Sequence, residues 1–103
     1  MTKRELNTIR NAVNMITKNF VWCENYATNE IKQVFKILDC FNLNYTCIED
    51  DYLWIGGEPT TKNQTYRIET AEGEVLETVL IVSRYYGSDF NNNGHCELNA
   101  YMA

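Results

Sequence analysis

His95 and Cys96 are the one adjacent pair in this chain that could set a nucleophile beside a base. A working Cys–His pair needs the thiol within hydrogen-bond reach of the imidazole. Neighbouring side chains on a strand point to opposite faces, so adjacency works against the pairing. The reading is a loop-end histidine beside a core cysteine. The other thiols, Cys23, Cys40 and Cys47, are irregularly spaced. Structural zinc sites bring ligands in as C-x₂₋₄-C pairs. Here the closest two, Cys40 and Cys47, are separated by six residues, with Cys40 expected on a helix and Cys47 in a strand. All four are read as reduced, small apolar side chains. Gly56-Gly57 follows an expected strand but lacks the third glycine and the lysine-serine of a phosphate loop. No catalytic residue, cofactor or metal is expected.

Carboxylates remain, and they are unevenly placed. Residues 1–42 carry six basic and four acidic groups, and residues 43–103 carry three basic and ten acidic ones. A weakly basic half thus precedes a strongly acidic half within a net charge of −5. Glu49, Asp50 and Asp51 cluster at one expected hairpin turn, and Glu69, Glu72, Glu74 and Glu77 surround a second. Paired carboxylates can hydrolyse glycosides, but exposed turns do not supply the burial that raises a carboxyl pKa. Such acid serves solubility or a basic partner. The same charge disfavours direct nucleic-acid binding, because the acidic half repels phosphates and the basic residues form no patch.

Aromatic residues sharpen the binding reading. Tyr85 and Tyr86 are adjacent in an expected strand, so one faces away from the other. Asp89 and Phe90 follow in a polar loop. Buried aromatic anchors are typical of interfaces, and these four are candidates for one such patch.

The hydrophobic pattern predicts what positions these groups. Thr2 and Glu5 form a capping box, and Leu6, Ile9, Val13, Ile16 and Phe20 then repeat at spacings of three and four. A first helix of about residues 3–18 follows. Phe20–Cys23 is readable as helix or as a short extended piece. Ile31, Val34, Phe35, Leu38 and Phe41 mark a second helix, capped by Thr28 or Asn29 and ended by Asn42. Lys32 and Lys36 fall on its solvent side.

After Asn42 the period becomes two. Leu43–Ile48 and Tyr52–Ile55 read as strands joined by an Asp50-Asp51 turn, with residues 56–63 a loop. Gln64–Thr70 and Val75–Tyr86 form a second hairpin around Ala71-Glu72-Gly73, with glycine at the left-handed position. That register sets Arg67 opposite Glu77 and Ile68 opposite Leu76. Cys96–Met102 is a last strand. The fold class expected is α+β: two N-terminal helices packed on one face of an antiparallel β-meander of about five strands, in a single domain over residues 1–103.

No apolar signal core opens the sequence, and its longest apolar run is far short of a membrane span. A cytoplasmic location is expected. Phe, Tyr, Ile, Asn and Lys number 37 against 15 for Gly, Ala, Arg and Pro, which indicates coding in a low-GC genome, bacterial or phage. The profile is similar to that of small phage-encoded inhibitors, anti-CRISPR proteins among them. That likeness is of composition alone, and no residue carries over from it. The function expected is a non-enzymatic, acidic protein-binding module that blocks a basic, nucleic-acid-binding surface of a host complex. The second reading is a small structural or regulatory protein that forms homo-oligomers through a sheet edge.

Overall fold

The computed structural model describes residues 1–18, 21–23, 28–55, 58–85 and 96–103. It is α+β, with two helices and an antiparallel sheet. In chain order the elements are α1 (Lys3–Ile16), β1 (Val21–Cys23), α2 (Thr28–Cys40), β2 (Asn44–Ile55), β3 (Glu58–Glu69), β4 (Val75–Tyr85) and β5 (Cys96–Met102). The four long strands lie in the order β5-β4-β3-β2, and the three-residue β1 adds to the free side of β5. Among the described residues β2 is therefore a sheet edge.

The helices begin and end for local reasons. The Glu5 amide donates to Thr2 Oγ1 at 3.1 Å, which caps α1; the Glu5 carboxylate reaches back to the Thr2 hydroxyl at 3.1 Å, which donates to it in place of the backbone amide of a full capping box. At the end of α2, Asn42 takes the left-handed conformation with φ 56°. The Leu43 amide then reaches the Leu38 carbonyl at 3.0 Å, and the Asn42 amide reaches that of Asp39 at 3.0 Å. These two bonds define a Schellman motif, and its hydrophobic contact is supplied by Leu38 and Leu43, both buried. The chain enters β2 directly from this stop.

Alternate strand positions feed one core. Leu80, Val82, Leu98, Ala100, Met102 and Ile68 from the sheet are buried with Ile9 and Val13 of α1 and Ile31, Val34 and Leu38 of α2. The face bearing Leu80 and Val82 is called inner here, and the opposite face outer. Thr17 seals the end of α1 against β5. Its hydroxyl donates to the Ala100 carbonyl at 2.9 Å and accepts from the Ala100 amide at 2.7 Å. Asn14 accepts from the Met102 amide at 2.8 Å, and Arg10 Nε donates to the Ala103 carbonyl at 3.2 Å. Phe35 of α2 stacks on Tyr45 of β2, with ring centroids 4.6 Å apart, and meets Tyr66 of β3 edge-on at 5.2 Å.

Several sequence expectations are corrected. No turn occurs at Asp50-Asp51; β2 runs unbroken through both to Ile55, and the chain reverses beyond it. On an edge strand both carboxylates stay exposed, so neither pays for burial, and Tyr52 and the apolar residues after it favour extended chain. Residues 58–63, expected as loop, belong to β3. Of Phe20–Cys23, Val21–Cys23 are strand. Neither Thr28 nor Asn29 precedes α2 as a cap, because the helix already includes both. Phe41 is 42% exposed, since it falls at the helix stop and leaves the buried stripe, whose place Leu43 takes.

The second hairpin keeps its expected register only at the turn. Gly73 is left-handed with φ 89°, and Glu69 pairs with Val75. A bulge between Arg67 and Glu69 then shifts the partners, so Arg67 faces Val79 and not Glu77. Arg67 finds its carboxylate on its own strand instead, with Nε 2.9 Å from Glu69 Oε1, and the two-residue shift leaves Ile68 and Leu80 on the buried face.

Candidate functional site

Register assigns each acidic side chain to a face. Residues directly opposite one another share a face, and neighbours along a strand alternate. Glu49, Thr65, Ile81 and Tyr101 form one row on the outer face, and Asp51, Asn63, Ser83 and Asn99 form the next. Thr46, Arg67 and Val79 lie to one side of these rows, and Thr61, Tyr85 and Glu97 to the other. Glu69 and Glu77 share the same face toward the 70–74 turn. Among the described residues the outer face therefore carries five carboxylates, Glu49, Asp51, Glu69, Glu77 and Glu97, and one guanidinium, Arg67. Arg67 Nε is 2.9 Å from Glu69 Oε1, so its charge is already answered within the face.

Asp50 belongs to the other side. Its carboxylate lies 3.8 Å from Lys62 Nζ, and Lys62 also stands over the Tyr52 ring at 5.1 Å from the centroid. Gln64 and Arg84 continue this inner row. Arg84 Nη1 donates to Gln64 Oε1 at 3.1 Å, while Arg84 Nε is buried without a hydrogen-bond partner. Tyr66 sits beside them. Burial pushes its phenol above the ordinary value; Cys47 and Asp50 push the same way, and Arg84 opposes them.

The described members of the expected site are spread along the sheet. Glu72 and Glu74 sit at the β3–β4 turn, together with Glu69 and Glu77. Tyr85 pairs with Thr61, eight residues along β3 from Glu69, which is roughly 26 Å at the rise of a strand. Glu49 and Asp51 lie between these ends on β2. Tyr86, Asp89, Phe90 and His95 lie outside the described residues. The outer face also presents an aromatic that the sequence reading missed, Tyr101, which is 37% exposed beside half-buried Ile81. The signal was available: if Leu98, Ala100 and Met102 point to the core, Tyr101 points away.

Two of the thiols stand outside the core. Cys40 and Cys47 are free and exposed, and the Cys47 thiol donates to the Glu49 carbonyl at 3.3 Å. Cys23 and Cys96 are register partners between β1 and β5. Among the described residues no group of three or more His, Cys, Asp or Glu side chains is placed to hold a metal ion. A shallow groove of about 390 Å³ between the helices is lined by Ala12, Ile16, Gln33, Lys36, Ile37, Cys40 and Phe41. It is mainly apolar and holds no acid–base pair. No described helix is long and apolar enough to cross a membrane.

The outer face and the adjoining β2 edge thus define an acidic sheet surface with an apolar and aromatic centre. Exposed carboxylates in such an array act at a distance, by attracting and orienting cations. No protein-family model matches the chain, and neither a curated protein nor a solved structure does.

Proposed function

We propose that this chain is a non-enzymatic protein-binding module that docks its outer sheet face on a basic surface. The setting suggested by its composition is inhibition of a host nucleic-acid-binding complex by a phage or mobile element, inside the cell. The single observation that carries the reading is the five-to-one excess of carboxylates over cations among the described residues of that face. The two helices are taken to cover the inner face, which leaves the outer one for the partner. Glu49, Asp51 and Glu97 would stand where phosphates otherwise bind, and Tyr101 and Tyr85 would supply contact area. Homo-oligomerisation through the β2 edge ranks second, because pairing two copies there sets acids against acids.

The test starts from a partner captured from a low-GC bacterial lysate and then purified. Association of the wild-type chain should slow steeply as salt rises, and nucleic acid should compete for the same partner. A variant with Glu49, Asp51 and Glu97 changed to Gln should associate about tenfold more slowly, with a shallower salt dependence. Equal association by both proteins at low salt overturns the proposal.

A further inference from the structure

The β2 edge carries the next step. Among the described residues β2 pairs with β3 on one side only, and of residues 44–51 all but Tyr45 are exposed. In an antiparallel pair, every second residue of an edge strand turns its N–H and C=O away from the sheet. Natural edges are guarded against accidental pairing by charge and by bulges, and β2 has both: three consecutive acids, and a bulge between Cys47 and Glu49. Those acids repel a second copy of the same strand, but they favour a strand of opposite charge.

We propose that the β2 edge accepts an extended basic segment of the partner as an additional strand. This deepens the proposed function and rests on it. The register specifies the segment. Glu49 and Asp51 lie on the outer face, while Asp50 lies on the inner face and is answered by Lys62. A paired strand would therefore meet unanswered carboxylate at alternate positions. It should carry Lys or Arg at residues i and i+2, on the outer face, with a neutral residue between them beside Asp50. Backbone bonds would supply affinity and the alternating charges the specificity, as in other cases of strand addition.

The test uses peptides alternating lysine and threonine over about ten residues, titrated at low salt into the isotope-labelled protein and followed by amide NMR. The expected result is a saturable shift of amides from Thr46 to Asp51. The same peptide N-methylated at every residue keeps its charges and loses its donors, and it should bind about tenfold more weakly or worse. A peptide with glutamate in place of lysine should not bind. Glu49→Gln with Asp51→Asn should weaken the lysine peptide, and Asp50→Asn should not. If the methylated peptide binds as well as its parent, strand addition is wrong and the charge reading survives. If lysine and glutamate peptides bind alike, the charge reading and this inference fall together. Absence of any shift at millimolar lysine peptide overturns the inference.

Discussion

Asp50 and Asp51 are neighbours in sequence and stand on opposite faces of the sheet. Asp50 meets Lys62 at 3.8 Å on the inner face, and Asp51 lies in the outer row opposite Asn63. Their roles should separate accordingly. Asp51→Asn is expected to slow association with a basic partner and to flatten its salt dependence. Asp50→Asn is expected to change association little, because its charge is already compensated. Both exposed changes should leave the unfolding free energy within about 0.5 kcal/mol of wild type. Association rates for the two single variants across a salt series check the split, and equal slowing by both would contradict it.

Thr17 is 1% exposed, and its hydroxyl serves both backbone groups of Ala100. Thr17→Val keeps the shape but leaves a buried N–H and C=O without that partner. A cost of about 1–3 kcal/mol is expected. Urea unfolding measures it, and faster amide exchange at Ala100 would locate it.

Leu38 is fully buried and also closes the Schellman motif with Leu43. Leu38→Ala should cost about 2–5 kcal/mol. Asn42 tests the same stop from the backbone side. Asn42→Gly suits φ 56° and should be neutral or slightly stabilising, whereas the β-branched Asn42→Val should destabilise by about 1–2 kcal/mol. Thermal or denaturant midpoints rank the three variants, and a harmless Asn42→Val would mean that the left-handed stop is dispensable.

Tyr66 and Tyr45 share an alkaline signature. Both phenols are raised above 10.0, each chiefly by burial, with Asp39 adding to the effect at Tyr45. The folded state then holds its phenolic protons to higher pH than the unfolded chain does. Their stabilising contribution is intact below about pH 10 and declines as pH rises from there through the folded values. Stability measured from pH 8 to 11 should fall, and Tyr66→Phe with Tyr45→Phe should flatten the upper limb. An unchanged slope in the double variant would assign the fall to other groups.

Much of the architecture is legible in the pattern of residues. Ile9 and Val13, then Ile31, Val34 and Leu38, repeat at helical spacing and are buried, and Thr2, Asn42 and Gly73 punctuate the chain where their chemistry suggests. The misplaced turn at Asp50-Asp51 has a physical cause. Aspartate favours turns locally, but its cost in a strand depends on whether the strand is central or at an edge, and that is decided by partners far along the chain. The bulge at Arg67 is illegible for a similar reason, since it is set by which inner residues must meet across β3 and β4. The site was half legible. The excess of acid in residues 43–103 is plain, but its division between two faces follows from register, and register separated Asp50 from Asp51.

The clasp between α1 and β5 also bears on the order in which the protein can take shape. Thr17 and Ala100 are 83 residues apart, and Arg10 and Ala103 are 93 apart. By contrast, β2 pairs with β3 and β3 with β4, each strand with the next along the chain, and these local pairings can form while synthesis continues. The contacts of α1 with β5 thus wait until that strand is made, and until then Ile9 and Val13 lack part of their final cover. A chain halted before β5 leaves that apolar stripe of α1 partly bare, and exposed apolar surface of this kind favours aggregation.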